Sequence, residues 1–170
     1  GEIAGNTASQ AGGVFITTRM EMSGGAVRDN VAKTDGGGVR NAWGSTVELT
    51  GGAITGNTAQ RYGGGVYCMG SFLQSGGEVS GNSTSTGGGA VATRSGASVE
   101  LAGGVMNGNS AANGGAVYIA PESACTITDG ALSGNTAAKN GGAVYAYGSL
   151  ALLGGSLTGN SAENFGGDVY

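Results

Sequence analysis

The chain has 170 residues, 39 of them Gly and one Pro, a net charge of −4, and only 11% charged against 39% apolar residues. So few charges give no electrostatic reason for the chain to stay open, and glycine at irregular spacing excludes a collagen triple helix. The seven basic residues are scattered, which argues against a nucleic-acid partner, and no run of about 18 apolar residues is present to insert in a membrane.

The first element opens at Ile3-Ala4-Gly5-Asn6, and its pattern returns along the whole chain. Asparagine recurs as Asn6, Asn30, Asn57, Asn82, Asn109, Asn135 and Asn160, with an apolar residue three positions earlier: Ile3, Val27, Ile54, Val79, Met106, Leu132 and Leu157. The next element is a valine behind glycines, repeated as Val14, Val39, Val66, Val91, Val117, Val144 and Val169. Between the two lies an apolar–x–apolar triplet: Met20/Met22, Val47/Leu49, Val99/Leu101, Cys125/Ile127 and Leu150/Leu152. One copy departs, with Gln74 following Phe72.

Alternation with period two is the signature of a short strand. Each repeat therefore predicts strand A around the valine, strand B at the triplet and strand C before the asparagine. Glycine corners lie between them, and Asn is expected to tolerate a corner conformation itself. No single repeat can bury its own apolar face, but stacked repeats share one continuous core. The reading is an all-β fold: a right-handed three-sided parallel β-helix (solenoid) of six to seven coils of about 26 residues, the hand following from parallel crossovers. Residues 1–170 read as a single β-helix domain, cut from a longer repeat array because the chain opens inside strand C and stops inside strand A. Inward positions are exemplified by Val117, Ile119, Cys125, Ile127 and Leu132. Cys68 and Cys125 fall two coils apart, roughly 10 Å at strand spacing, so both are expected as free thiols.

Three files of side chains bear on function. The seven asparagines, stacked at one corner, are expected to bond along the axis as a structural ladder, since an amide both donates and accepts. Beside the valines run Phe15, Arg40, Tyr67, Ala92, Tyr118, Tyr145 and Tyr170. Arg40 marks this file as outward-facing, and Tyr67, Tyr118, Tyr145, Tyr170 and Arg40 form a candidate ligand-binding set, flat faces and hydroxyls suiting a glycan or a protein partner. The alternative is that the rings stack on one another and shield the glycine-rich surface alongside. Glu21, Glu48 and Glu100 share the outward file of strand B and form the best carboxylate cluster. With no His in the chain, neither a catalytic residue, a metal site nor a cofactor is expected.

The tetrapeptides Gly51-Gly52-Ala53-Ile54, Gly114-Gly115-Ala116-Val117 and Gly141-Gly142-Ala143-Val144 carry a family likeness. So do Ile54-Thr55-Gly56-Asn57 and Leu157-Thr158-Gly159-Asn160, which hold an aliphatic where the family pattern has Phe. At these residues the chain resembles the repeats of polymorphic outer-membrane proteins and related bacterial surface β-helices. The resemblance implies an adhesin or autotransporter-like passenger, extracellular on the bacterial surface or secreted. Its partners would be a host or neighbouring-cell surface, through glycan or protein, with lateral or end-on self-association. The alternative reading is a carbohydrate-binding or polysaccharide-cleaving β-helix.

Overall fold

The computed structural model describes residues 1–170, and every regular element in it is a β-strand. Equivalent strands of successive repeats pair in parallel, in register, to make three sheets that wind into a β-solenoid. The pairing follows the repeat residue by residue: Val39 lies on Val66, Val66 on Val91, and Val91 on Val117. Likewise Val27 lies on Ile54, Ile54 on Val79, and Val79 on Met106. Files of like side chains therefore meet inside one elongated core. Val39, Val47, Leu49, Ile54, Val66, Phe72, Ile119 and Ile127 are among its fully buried members.

The three sides are divided differently from the sequence reading. Strands B and C are not separate sides, because in most coils they run on as one strand, as in Thr46–Thr55, Ser98–Asn107 and Ala124–Ser133. The Gly-Gly pair between them is a bulge within the sheet, where the register slips. A bulge bends a strand without ending it, which is how glycine acts here. The third side is a short strand just after each asparagine, such as Thr58–Ala59, Ser83–Thr84 and Thr136–Asn140, and it forms a seven-stranded sheet. Its Ser/Thr–Ala pattern is too short and too polar to register as apolar alternation.

Gln74, the exception in the strand B series, keeps its inward place between Leu49 and Leu101 and is 1% exposed. Its Nε2 donates to the Gly77 and Val105 carbonyls at 3.3 and 3.2 Å, while Oε1 is buried without a partner. Register is thus strong enough to hold a polar side chain in the core. Cys68 and Cys125 are both buried and unpaired.

Glycine is required at the corner before strand A because neighbouring coils touch there. A Cβ on Gly89 would lie 2.3 Å from the Gly115 carbonyl oxygen, and one on Gly115 would lie 2.2 Å from that of Gly142. No side chain fits between backbones at that separation.

Candidate functional site

The long sheet ends at the asparagine corner. The left-handed backbone conformation there belongs to the residue before each Asn, such as Gly56 (φ 64), Gly81 (φ 61) and Gly108 (φ 59), with Asp29 (φ 55) as the non-glycine member. Of the two roles expected of asparagine, the corner conformation falls to the preceding residue, and the amide bonding along the axis is what Asn itself supplies. Asn82 Oδ1 accepts from both the backbone N–H and the Nδ2 of Asn57, at 2.9 and 3.0 Å. Asn57 Nδ2 also donates back across the coil to the Val27 carbonyl at 2.9 Å. The same three-bond unit joins Asn30 to Asn57, Asn82 to Asn109 and Asn109 to Asn135. Asn6 and Asn160 end the file, Asn6 donating twice to Asn30 and Asn160 accepting twice from Asn135. Asn30, Asn57, Asn82, Asn109 and Asn135 have no exposed surface. Burying so many amides is tolerable only because each is bonded on all sides.

The file beside the valines is an aromatic face. Strand pairing places Phe15 beside Arg40, Arg40 beside Tyr67, Tyr67 beside Ala92, Ala92 beside Tyr118, and Tyr118 beside Tyr145. Tyr118 and Tyr145 stack at 5.5 Å with ring planes 3° apart, and Tyr145 stacks on Tyr170 at 5.0 Å. Arg40 lies between two rings, 5.9 Å from Phe15 and 5.6 Å from Tyr67. The four tyrosines and Arg40 are therefore brought together, but not equally displayed. Tyr67 and Tyr145 are only 8% and 6% exposed, while Tyr170 is 50% exposed. Rings that cover one another raise the file's stability and leave edges, rather than whole faces, to a partner.

Sequence reasoning missed the flanks of this face. Tyr62 and Phe165 approach from the glycine corner, and Trp43 and Tyr147 from the turns on the opposite border. Tyr62 lies 5.4 Å from Tyr118, Tyr147 lies 4.9 Å from Tyr145, and Phe165 lies 6.1 Å from Tyr170. Arg94 lies over Trp43 at 5.5 Å. Every aromatic residue except the core Phe72 thus sits on or beside this one sheet. The repeat offset between Tyr62 and Phe165 was the available signal, but with Gly87, Asn113 and Asn140 between them it does not read as a file. Burial raises the phenol pKa values of Tyr67, Tyr118 (to about 12) and Tyr145; neighbouring phenols add to it at Tyr118 and Tyr145, while at Tyr67 Asp35 adds to it and Arg94, Arg40 and Arg61 oppose it. These phenols stay neutral near pH 7, and the arginines carry the charge.

The carboxylate file is brought together only in part. Glu21 pairs directly with Glu48, and both bond to Arg19, at 3.2 and 2.7 Å. Glu100 is separated from Glu48 by Leu73.

What these features define is a parallel β-solenoid with an amide-bonded spine and one aromatic face. Residues 130–147 match the family model of the Chlamydia polymorphic membrane protein repeat. The matched stretch holds Leu132-Ser133-Gly134-Asn135 at the spine, equivalent to Ile54-Thr55-Gly56-Asn57, and Gly141-Gly142-Ala143-Val144 at the close-contact corner. Over residues 130–147 the chain is similar in sequence to that repeat. Comparison with curated proteins and with solved structures returns no match.

Proposed function

We propose that this chain is a structural and adhesive β-helix segment of a bacterial surface protein, displayed outside the cell, and that it performs no catalysis. The observation that carries the reading is the segregation of the aromatic residues onto one sheet of a scaffold that is otherwise glycine, small polar residues and buried aliphatics. Aromatic rings with Arg among them are the side chains that dominate interfaces with partners. The partner is a glycan or protein on a host or neighbouring cell, with self-association along the sides or ends of the rod as a further mode. The match to a membrane-protein repeat supports the surface location. The carboxylates nearest one another are tied to Arg19, which favours a bonded surface cluster over an acid–base pair.

The test is attachment. Beads carrying the chain are scored for adhesion to cultured animal cells against beads carrying Tyr118→Ala plus Tyr145→Ala, with circular dichroism confirming that the solenoid is retained. Adhesion should fall several-fold in the variant. Equal adhesion by both proteins, or none by the unaltered chain, refutes the reading.

A further inference from the structure

The aromatic file lacks a ring at one place. Ala92 stands where its neighbours in register carry Tyr67 and Tyr118. Tyr62 leans in from the corner, 6.3 Å from Tyr67 and 5.4 Å from Tyr118, and together with Tyr118 packs on the cluster in which Ala92 is fully buried. It does not fill the gap. A cleft of about 150 Å³ remains beside it, bordered by Tyr62, Tyr67 and Tyr118 and, on the turn side, by Thr93, Arg94 and Ser95. That is room for one six-membered ring, with aromatic edges on one border and polar groups on the other.

The charge around this cleft differs from that of the chain. The chain carries −4, yet Arg40, Arg61 and Arg94 converge on Tyr62 and Tyr67. Arg19 and Arg28, by contrast, are held by carboxylates. Two acids oppose the three cations. Asp35 is buried 3.8 Å from Arg61, and Glu122 accepts a hydrogen bond from Ser95 at 2.8 Å. Arg94 has no acidic partner. It is exposed, borders the cleft and rests on the Trp43 ring, which holds its planar fork ready without neutralising it.

We propose that this cleft is a subsite for one carboxylate-bearing pyranose, a uronic-acid-type residue of an acidic glycan. The sugar's apolar face lies against the exposed edges of the tyrosine rings, and its carboxylate pairs with the Arg94 guanidinium. Aromatic surface selects a sugar ring, and a lone planar fork selects a planar carboxylate by paired N–H···O bonds. A neutral sugar satisfies only the first demand. The inference rests on the adhesive reading and supplies its ligand class.

The probe is a galacturonic-acid oligosaccharide, with its carboxyl-reduced neutral counterpart and a sulfated oligosaccharide of equal length as controls. Calorimetry measures affinity, and the emission of Trp43, the sole tryptophan, locates the site through its contact with Arg94. The acidic oligomer should bind and shift Trp43 emission, with the neutral control at least about tenfold weaker and the sulfated one weaker than the acidic oligomer. Arg94→Gln should weaken acidic binding by about tenfold or more, and Arg94→Lys should restore part of it. Arg94 lies exposed on a turn, so neither change threatens the fold. Absence of binding, equal binding of a control, binding without a Trp43 response, or indifference to Arg94→Gln overturns the proposal. Bead adhesion that survives Arg94→Gln but is lost in the Tyr118/Tyr145 variant removes the subsite and leaves the adhesive reading standing. Adhesion indifferent to both sets of changes removes the two together.

Discussion

Asn82 lies in mid-spine, and replacing it by Ala tests the reasoning about the buried amides most directly. Four hydrogen bonds are lost: two from Asn57 to Asn82 Oδ1, and two from Asn82 Nδ2 to the Ile54 carbonyl and Asn109 Oδ1, at 2.9 and 3.1 Å. The Asn82 backbone bond to Asn109 Oδ1 survives. The cost is set by what is stranded. The Asn57 backbone N–H and one Asn57 amide hydrogen are left without acceptors at a residue with no exposed surface. At about 1–3 kcal/mol for each stranded group, the loss should be about 4 kcal/mol. For a chain of this size that lowers the melting temperature by about 8–16 °C. Asn6→Ala is the internal control. Asn6 is exposed and accepts no bond from another asparagine, so its loss should cost about 1 kcal/mol or less. Urea titrations followed by circular dichroism measure both. If Asn82→Ala proves no more harmful than Asn6→Ala, the spine does not stabilise the fold and the account is wrong. Asn82→Asp adds a signature in pH. Burial raises the carboxyl pKa in the folded state, so this variant should be most stable below the unfolded value of about 3.9 and lose stability as pH rises through the folded one.

Gly89→Ala should destabilise by about 1–3 kcal/mol, because its Cβ meets the Gly115 carbonyl at 2.3 Å, whereas Gly134→Ala, at φ 60 with open space around it, should cost only about 1–2 kcal/mol. Crystal structures of the two variants separate the causes, since coil spacing should widen only in the first. Glu122→Gly should stabilise by about 0.5–1 kcal/mol by relieving a left-handed conformation (φ 62) at an exposed turn, and a lower melting temperature would show that the Ser95 hydrogen bond outweighs it. Burial lifts both thiols to about 12, so Cys68 and Cys125 should resist thiol reagents at pH 8 until the chain is unfolded. Their folded values lie above the ordinary 9.0, so their contribution to stability is complete below pH 9 and is lost as pH rises toward 12, which alkaline melts measure.

The repeat was legible in the chain because stacking equivalent positions imposes a rule on residue type at each of them. Val39 rests on Val66 and Val66 on Val91, so the apolar spacing alone implied coils, parallel pairing and the inward set from Val117 to Leu132. The asparagine file was legible for the same reason, since a buried amide needs another above and below it. The position of the bends was not. Gly51-Gly52 and Gly103-Gly104 read as corners, yet the sheet passes through them, because glycine permits a bulge as readily as a turn and only pairing with the next coil decides which. The candidate site depended even more on the tertiary structure. The tyrosines were visible as a file, but Tyr62, Trp43 and Arg94 occupy positions with no repeating character. Their meeting around the gap at Ala92 results from side chains reaching across neighbouring coils, a distance in space that spacing along the chain does not encode.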